Sequence, residues 1–189
     1  MKKLSIYIVL LALVAFSSCK KKSSPQSIVG TWMFSNIAGT AVSNTSTTNG
    51  TTYTYSYNAT TKTITAQAVM TFGSFTDTTN TYITVTSEAW VFNTDGTYNI
   101  SENYTQTGST AASANSSGTW DYLSNTKTNQ EFVFSNGQTS AVFNALGFGS
   151  GIYTIESVGS TMVLTIMTTS SNNSGSTNNT DITLTFTKA

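Results

Sequence analysis

The sequence predicts an all-β domain whose antiparallel strands follow one another along the chain and close on themselves. Apolar residues recur with a period of two, as where Ile182, Leu184 and Phe186 alternate with threonines. Threonine is abundant throughout, and its branched side chain suits a half-exposed pleated surface. Because an open sheet leaves unpaired edges, we expect either an up-and-down barrel or a closed sandwich.

The alternation divides the chain into a series of predicted strands. In order, they lie at 29–37, 51–58, 62–72, 81–92, 97–106, 117–123, 130–135, 150–157, 161–169 and 180–188. Rows that mark individual strands are Tyr53, Tyr55 and Tyr57, then Tyr98, Ile100 and Tyr104, then Met162, Leu164 and Ile166. Residues 141–146 suit a single helical turn. Segments rich in Ser, Thr, Asn and Gly are predicted to be loops at 40–50, 107–116 and 170–179, with a turn-like stretch at 73–80.

The fourth and fifth predicted strands can be aligned residue by residue. Asn93-Thr94-Asp95-Gly96 suits a type I turn in which Gly96 supplies the left-handed residue of a bulge, so that Asn93 faces Thr97. The register that follows opposes three pairs on one face, namely Phe92 with Tyr98, Trp90 with Ile100, and Glu88 with Glu102. Two carboxylates are therefore predicted to face each other on an otherwise apolar surface.

The N-terminus begins with Met1-Lys2-Lys3, continues as an apolar run over 4–16 and ends at Phe16-Ser17-Ser18-Cys19, which contains the only cysteine. This pattern resembles a bacterial lipoprotein signal peptide. The resemblance implies a signal peptide at 1–18, an acylated Cys19 and tether at 19–27, and a folded domain at 28–189. The other interpretation is an uncleaved anchor with an incidental cysteine, although the apolar run is too short to span a bilayer comfortably.

The same resemblance implies permanent attachment to a membrane. Acyl chains such as palmitate contribute roughly 0.8 kcal/mol per buried methylene, so the lipid bilayer is the predicted partner of Cys19. Lys20 stands where the common inner-membrane retention signal has Asp. The expected location is therefore the outer membrane of the cell envelope, and the side that the domain faces is left open.

The composition excludes several classes of function. The chain has no His and no Arg, which rules out a Ser-His-Asp triad, imidazole metal ligands and a phosphate clamp of arginines. Beyond the tether, Lys62, Lys127 and Lys188 stand against eight acidic residues, a balance that disfavours nucleic acid. We predict no enzymatic activity, metal or cofactor, although paired carboxylates of the glycosidase type remain formally possible. The oligomeric state is left open.

Several short motifs, in this order, resemble bacterial lipocalin-like lipoproteins over most of residues 28–188. They are Gly30-Thr31-Trp32, the stretch from Trp90 to Tyr98, Gly118-Thr119-Trp120, Tyr153-Thr154-Ile155 with Met162-Val163-Leu164, and Leu184-Thr185-Phe186. The resemblance implies a lipocalin-like up-and-down barrel of about eight to ten strands that holds one small apolar or amphipathic ligand. The arginine that packs over the entry tryptophan of lipocalins is missing, because the chain has no Arg.

Side chains on the predicted inward faces are the candidates for a ligand site. The proposed ligand-binding set is Glu88, Trp90, Phe92, Tyr98, Glu102 and Tyr104, with Phe34 and Phe134 also facing inward. Trp32, Gly96 and Trp120 are predicted to be structural, with Trp32 plugging the floor. Either the aromatic side chains surround a ligand, or they simply fill the barrel. Either the two glutamates lie at the barrel mouth in water, or they form a polar hook just inside it.

Two surface features complete the set of candidates. The row of Tyr53, Tyr55 and Tyr57 is either a sugar-stacking or adhesive face, or the packed side of a strand. Asp77-Thr78-Thr79 resembles a short signal for bacterial protein O-glycosylation, which would modify Thr78. The rival to a ligand binder is a structural or adhesion protein with a filled barrel that acts through its Ser/Thr/Asn-rich loops.

Overall fold

The computed structural model describes residues 25–44, 48–126, 129–137, 140–146, 152–171 and 177–189. Cys19, the predicted signal peptide and most of the predicted tether lie outside the described residues. The strands are β1 (Gly30–Asn44), β2 (Asn49–Asn58), β3 (Thr63–Phe72), β4 (Phe75–Phe92), β5 (Thr97–Gln106), β6 (Ala112–Asn125), β7 (Gln130–Gly137), β8 (Tyr153–Val158), β9 (Thr161–Ser171) and β10 (Thr177–Lys188). A short helix, α1 (Ala141–Ala145), follows β7. Among the described residues, no helix has the length and apolar character needed to cross a membrane.

The ten strands form one antiparallel sheet that closes into a ring. Their order is β1-β10-β9-β8-β7-β6-β5-β4-β3-β2, so each strand lies beside its neighbours in the sequence. The ring closes where β10 pairs with β1, from Trp32 opposite Lys188 to Asn44 opposite Thr177. The predicted all-β, antiparallel and closed architecture is thus confirmed, and α1 confirms the predicted helical turn.

The ring is wider at one end, because β1 changes partner along its length. Gly30–Met33 pair directly with Ala89–Phe92 of β4, whereas Gly39–Asn44 pair with β2. The β2–β3 hairpin therefore enters only half of the ring, and its turn inserts between β1 and β4. We call the half that β1 and β4 close directly the eight-strand end, and the half that contains β2 and β3 the ten-strand end.

Irregular pairing marks the place where the hairpin enters. β1 is bulged between Phe34 and Asn36, and β4 is bulged between Val85 and Ser87. Lys62, in the hairpin turn, has a φ of 52°, and its carbonyl accepts a hydrogen bond of 2.8 Å from the Val85 N–H. Because bulges bend their strands, they allow β1 and β4 to part around the hairpin.

The predicted register of β4 and β5 is confirmed. Phe92 lies opposite Tyr98, and Glu88 lies opposite Glu102. Gly96 has a φ of 81°, a left-handed conformation that glycine adopts without a steric cost.

The loop predictions are wrong in part, because strands continue into the polar segments. Residues 40–44, 112–116 and 177–179 belong to β1, β6 and β10, and the turn near 73–80 ends where β4 begins at Phe75. Thr78 therefore lies within β4 opposite Val69 rather than in a turn, and its side chain is exposed. Polarity alone does not distinguish a loop from a strand with solvated faces. The modification of Thr78 stays a prediction.

Aromatic side chains fill the eight-strand end. Trp90 is fully buried, and its ring centroid lies 4.7 Å from that of Phe186 and 5.5 Å from that of Phe143 in α1. Aromatic contacts of this kind contribute roughly 0.5–1.5 kcal/mol each beyond the burial of area. Trp120 is also buried, with its ring edge-on to Phe92 at 5.7 Å. The interior of this end is a packed core.

Trp32 lies in the interior of the eight-strand end. It is fully buried, and its indole Nε1 donates a 2.7 Å hydrogen bond to the carbonyl of Ile28. Lys188 Nζ lies 5.7 Å from the centre of the Trp32 ring, within the range of a cation–π contact. Gln26 and Gln130 exchange two hydrogen bonds, of 3.0 and 2.8 Å. The chain therefore enters the ring at this end.

Candidate functional site

A pair of buried carboxylates lies near the middle of the ring. Glu88 and Glu102 face inward from β4 and β5, and only 2% and 1% of their surfaces are exposed. Alternation puts them there, because Glu88 continues the inward row of Trp90 and Phe92. Two opposed carboxylates in such a place destabilise each other unless hydrogen bonds or protons compensate.

The N-terminal end of helix α1 donates hydrogen bonds to the carboxylate of Glu102. Ser140 caps the helix, since its Oγ accepts a hydrogen bond of 3.1 Å from the Phe143 N–H while donating to Glu102 Oε1. Glu102 Oε2 accepts a 2.6 Å hydrogen bond from the Ala141 N–H. Burial raises the pKa of Glu102, whereas these hydrogen bonds lower it. The carboxylate holds α1 inside the ring, with Phe143 fully buried.

Only one carboxyl oxygen of Glu88 has a hydrogen-bond partner among the described residues. Its Oε1 accepts a 2.7 Å hydrogen bond from Trp90 Nε1, and its Oε2 is buried without a partner among the described residues. Burial, and then the charge of Glu102, raise the pKa of Glu88 to about 8, so this carboxyl holds a proton at neutral pH. Burial, together with the charge of Glu88, also raises the pKa of Tyr153, whose hydroxyl is likewise buried without a partner there.

These positions correct one interpretation of the glutamate pair. Neither side chain lies in water at a mouth of the ring, because α1 covers Glu102 and the core surrounds Glu88. The rest of the predicted ligand-binding set packs around them: Trp90, Phe92 and Tyr98 are buried, and Tyr104 is half-buried. A ligand would reach these groups only if α1 moved, and their role in binding stays a prediction.

A cleft of about 390 Å³, open to solvent, lies at the ten-strand end. Its sheet side is formed by β10, β1 and β2, and the end of α1 forms the opposite side. One cross-strand row places Thr180, Ala41 and Tyr53 side by side, and the row nearer the rim contains Asn178 and Ser43. Because Ala41 has the smallest side chain of its row, it leaves a depression beside the Tyr53 ring.

Tyr55 fixes the inner boundary of the cleft. It is 4% exposed, and its hydroxyl donates a 2.9 Å hydrogen bond to the carbonyl of Leu146, just after α1. Burial, and then the neighbouring Tyr53, raise the pKa of Tyr55 to about 12. The rings of Tyr53 and Tyr55 are almost parallel, with an interplanar angle of 15° and centroids 6.4 Å apart. Tyr55 is therefore fixed in place and supports the ring of Tyr53, which is 37% exposed.

The sequence pointed to the tyrosine row but not to the cleft. Ala41 and Ser43 fall in a predicted loop, and Asn178 falls in another. The signal that would have found them is the continuation of the inward rows beyond their apolar part, as from Ile182 through Thr180 to Asn178. A row that keeps its period while losing its apolar character indicates an inward surface that is not packed.

The comparisons give no relative from which a site could be transferred. No family model matches the chain, and no match is found among the curated proteins or the solved structures. Within the ranges that the structure describes, no three His, Cys, Asp or Glu side chains are grouped so that they could hold a metal ion.

Proposed function

We propose that the protein is a membrane-anchored, lipocalin-like lipoprotein of the outer membrane that binds a small amphipathic molecule without catalysis. The observation that carries this proposal is the open cleft beside Tyr53, in a ring whose other end is packed. The cleft volume of about 390 Å³ falls in the range of roughly 300–1,000 Å³ usual for small-molecule sites. The site proposed is this cleft rather than the centre of the ring.

Two features support the lipocalin-like part of the proposal. Each strand lies beside its sequence neighbours, which is the arrangement of an up-and-down barrel. Lys188 lies over Trp32 of the Gly-x-Trp motif, and so supplies the cation that lipocalins provide with an arginine. The absence of arginine from the chain is therefore compatible with a lipocalin-like floor.

Attachment through Cys19 would orient the cleft. Gln26 and Ile28 are bound at the eight-strand end, so an anchored chain would leave the domain from the end opposite the cleft. The cleft would then open away from the bilayer that holds the acyl chains, toward molecules in the aqueous phase.

The anchor is tested by Cys19→Ala, with Ser24→Ala in the tether as the control. Cys19→Ala is expected to abolish incorporation of labelled palmitate and lipoprotein cleavage, because it removes the only thiol, whereas Ser24→Ala retains both. If the Cys19→Ala protein is still processed and stays in the outer-membrane fraction, the anchor proposal fails.

The cleft is tested by titrating the purified protein with the neutral fluorescent amphiphile N-phenyl-1-naphthylamine. Ala41→Leu fills the depression and is expected to weaken binding roughly tenfold, equivalent to about 1.4 kcal/mol. Ala38→Leu makes the same change at an exposed position on the same strand and is expected to bind like the wild type. Equal binding by Ala41→Leu and Ala38→Leu would exclude the cleft as the site.

A structural or adhesion role is the second candidate, and the packed interior of the eight-strand end favours it. Native mass spectrometry of the purified full chain separates the two. A co-purified small molecule that is lost in Ala41→Leu supports the ligand-binding function. A protein that carries no ligand and does not bind the fluorescent amphiphile supports the structural or adhesion role.

A further inference from the structure

Among the described residues, the side chains that line the cleft include no carboxylate and no amine. Besides the two tyrosine hydroxyls, its polar side-chain groups are the hydroxyls of Ser43 and Thr180 and the amides of Asn144 and Asn178. Neutral groups of this kind both donate and accept hydrogen bonds, but they provide no counter-charge for an ion. A charged ligand would lose its hydration here without an ion pair in return, so the lining favours a neutral ligand.

The apolar part of the cleft is flat and lies to one side. Tyr53 offers an exposed ring that is backed by the nearly parallel ring of Tyr55, which Leu146 holds in place. Ala41 lies beside Tyr53 in the same cross-strand row and leaves room next to its ring. A flat ligand face that carries C–H groups would stack there and bury apolar surface.

Three of the hydrogen-bonding side chains, those of Thr180, Asn178 and Ser43, lie on β10 and β1. Thr180 follows Ala41 in the row, on the side opposite Tyr53, and Asn178 lies opposite Ser43 in the row nearer the rim. A ligand that is apolar throughout would cover these amides and hydroxyls and leave them without hydrogen-bond partners, which is unfavourable. The cleft therefore matches a ligand with an apolar face and a hydroxylated edge.

We propose that the cleft binds a neutral saccharide, with one pyranose ring stacked on Tyr53 and its hydroxyls bonded to Thr180, Asn178 and Ser43. A pyranose has a face of C–H groups bounded by hydroxyls, which is the distribution that the lining requires. This inference rests on the proposed function, since it names the ligand class of the same cleft.

The experiment is saturation-transfer NMR of the full chain with three trisaccharides at millimolar concentration. Maltotriose and N,N′,N″-triacetylchitotriose are the neutral probes, and trigalacturonate is the charged comparator. At least one of the neutral probes is expected to receive saturation, and the saturation should be strongest on the C–H groups of one ring face. Trigalacturonate is expected to bind roughly tenfold more weakly.

Variants connect the signal to the cleft. Tyr53→Phe keeps the ring and is expected to retain binding, whereas Tyr53→Ala is expected to lose roughly tenfold in affinity. Tyr82→Ala removes an exposed tyrosine elsewhere and is expected to bind like the wild type.

Three results would overturn the inference: no saturation of either neutral probe, equal binding of trigalacturonate, or full binding by Tyr53→Ala. If the saccharides fail while N-phenyl-1-naphthylamine still binds in a way that Ala41→Leu weakens, the saccharide is wrong and the proposed function stands. If neither saccharide nor amphiphile binds, both proposals fail together.

Discussion

The inward-facing rows of side chains run through both ends of the ring, but their size and polarity differ between the two ends. On β10, Phe186, Leu184 and Ile182 are fully buried at and near the eight-strand end, and the row then continues as Thr180 and Asn178 along the cleft. Along β10 the period of two is unbroken, and this strand pairs with β9 and β1 at both ends. Within this strand, only the size and polarity of the inward side chains change.

β1 shows the same change on the neighbouring strand. Trp32 and Ile37 are fully buried, whereas Ala41 and Ser43 line the cleft. Side chains that fill space hold one end together, and side chains that leave space make the other end accessible. The comparison teaches that the packed core and the open cleft are separated along each strand rather than divided between strands, and the following variants test that separation.

The largest expected effect is at the closed floor. Trp32→Ala should lower the free energy of unfolding by about 3–5 kcal/mol, because it leaves a large cavity where the indole is fully buried. Chemical denaturation monitored by circular dichroism measures the loss. Unchanged stability would mean that the eight-strand end is not the core of the domain.

The second effect depends on pH and lies where the two ends meet. The folded-state pKa of Glu88, about 8, is above its ordinary value, so the native state binds a proton that the unfolded state releases. The stabilisation that the protonated Glu88 carboxyl contributes is fully present below about pH 4.5 and is lost as the pH rises past about 8. Between these values the free energy of unfolding falls by up to about 1.4 kcal/mol per pH unit.

Glu88→Gln should flatten this slope, because the amide resembles the protonated carboxyl and does not titrate. The measurement is the denaturant midpoint of wild type and variant from pH 5 to pH 8.5. Asp95→Asn, a change at a fully exposed carboxyl, should leave the slope in place. A wild-type protein that gains stability across this range would contradict the burial of Glu88.

The third effect concerns the close approach of β1 and β10 at the start of the ten-strand end. Gly39 has a φ of 141°, and a Cβ there would collide with the carbonyl oxygen of Asp181. Gly39→Ala should therefore cost about 1–3 kcal/mol of stability. Gly159→Ala is the control, since a Cβ at Gly159 meets no atom within 4 Å. Equal melting temperatures for the two variants would show that β1 and β10 are farther apart.

The smallest effect is expected inside the cleft. Tyr53→Ala should lower the free energy of unfolding by less than about 1 kcal/mol, because the side chain is 37% exposed. The same denaturation experiment as for Trp32→Ala gives the comparison directly. A loss as large as that of Trp32→Ala would make Tyr53 part of the core rather than of the open cleft.

The sequence was sufficient for the order of the strands and for their apolar parts, but not for the shape that the strands enclose. Alternation and the turn at Gly96 predicted the pairing of Glu88 with Glu102, because a shift of one residue would have turned apolar side chains to the wrong face. Nothing local to either strand indicated that Ser140 and α1 would cover Glu102. That contact joins residues far apart in the chain, so the burial of the pair required the three-dimensional fold.

The cleft was missed for a related reason. Its lining comes from polar ends of β1 and β10, where Ser, Thr and Asn read equally well as loop or as strand. The insertion of β2 and β3 into only half of the ring, which widens this end, depends on the change of partner along β1. Single-strand patterns contain no information about such a change.

The most direct test of an open end and a filled end is acrylamide quenching of tryptophan fluorescence. The three native tryptophans, Trp32, Trp90 and Trp120, are buried in the packed part of the ring, so the wild type should be quenched only weakly. Tyr53→Trp adds a reporter in the cleft and should add a strongly quenched component. Strong quenching of the wild type, or no added component in Tyr53→Trp, would contradict the division of the ring into a filled end and an open end.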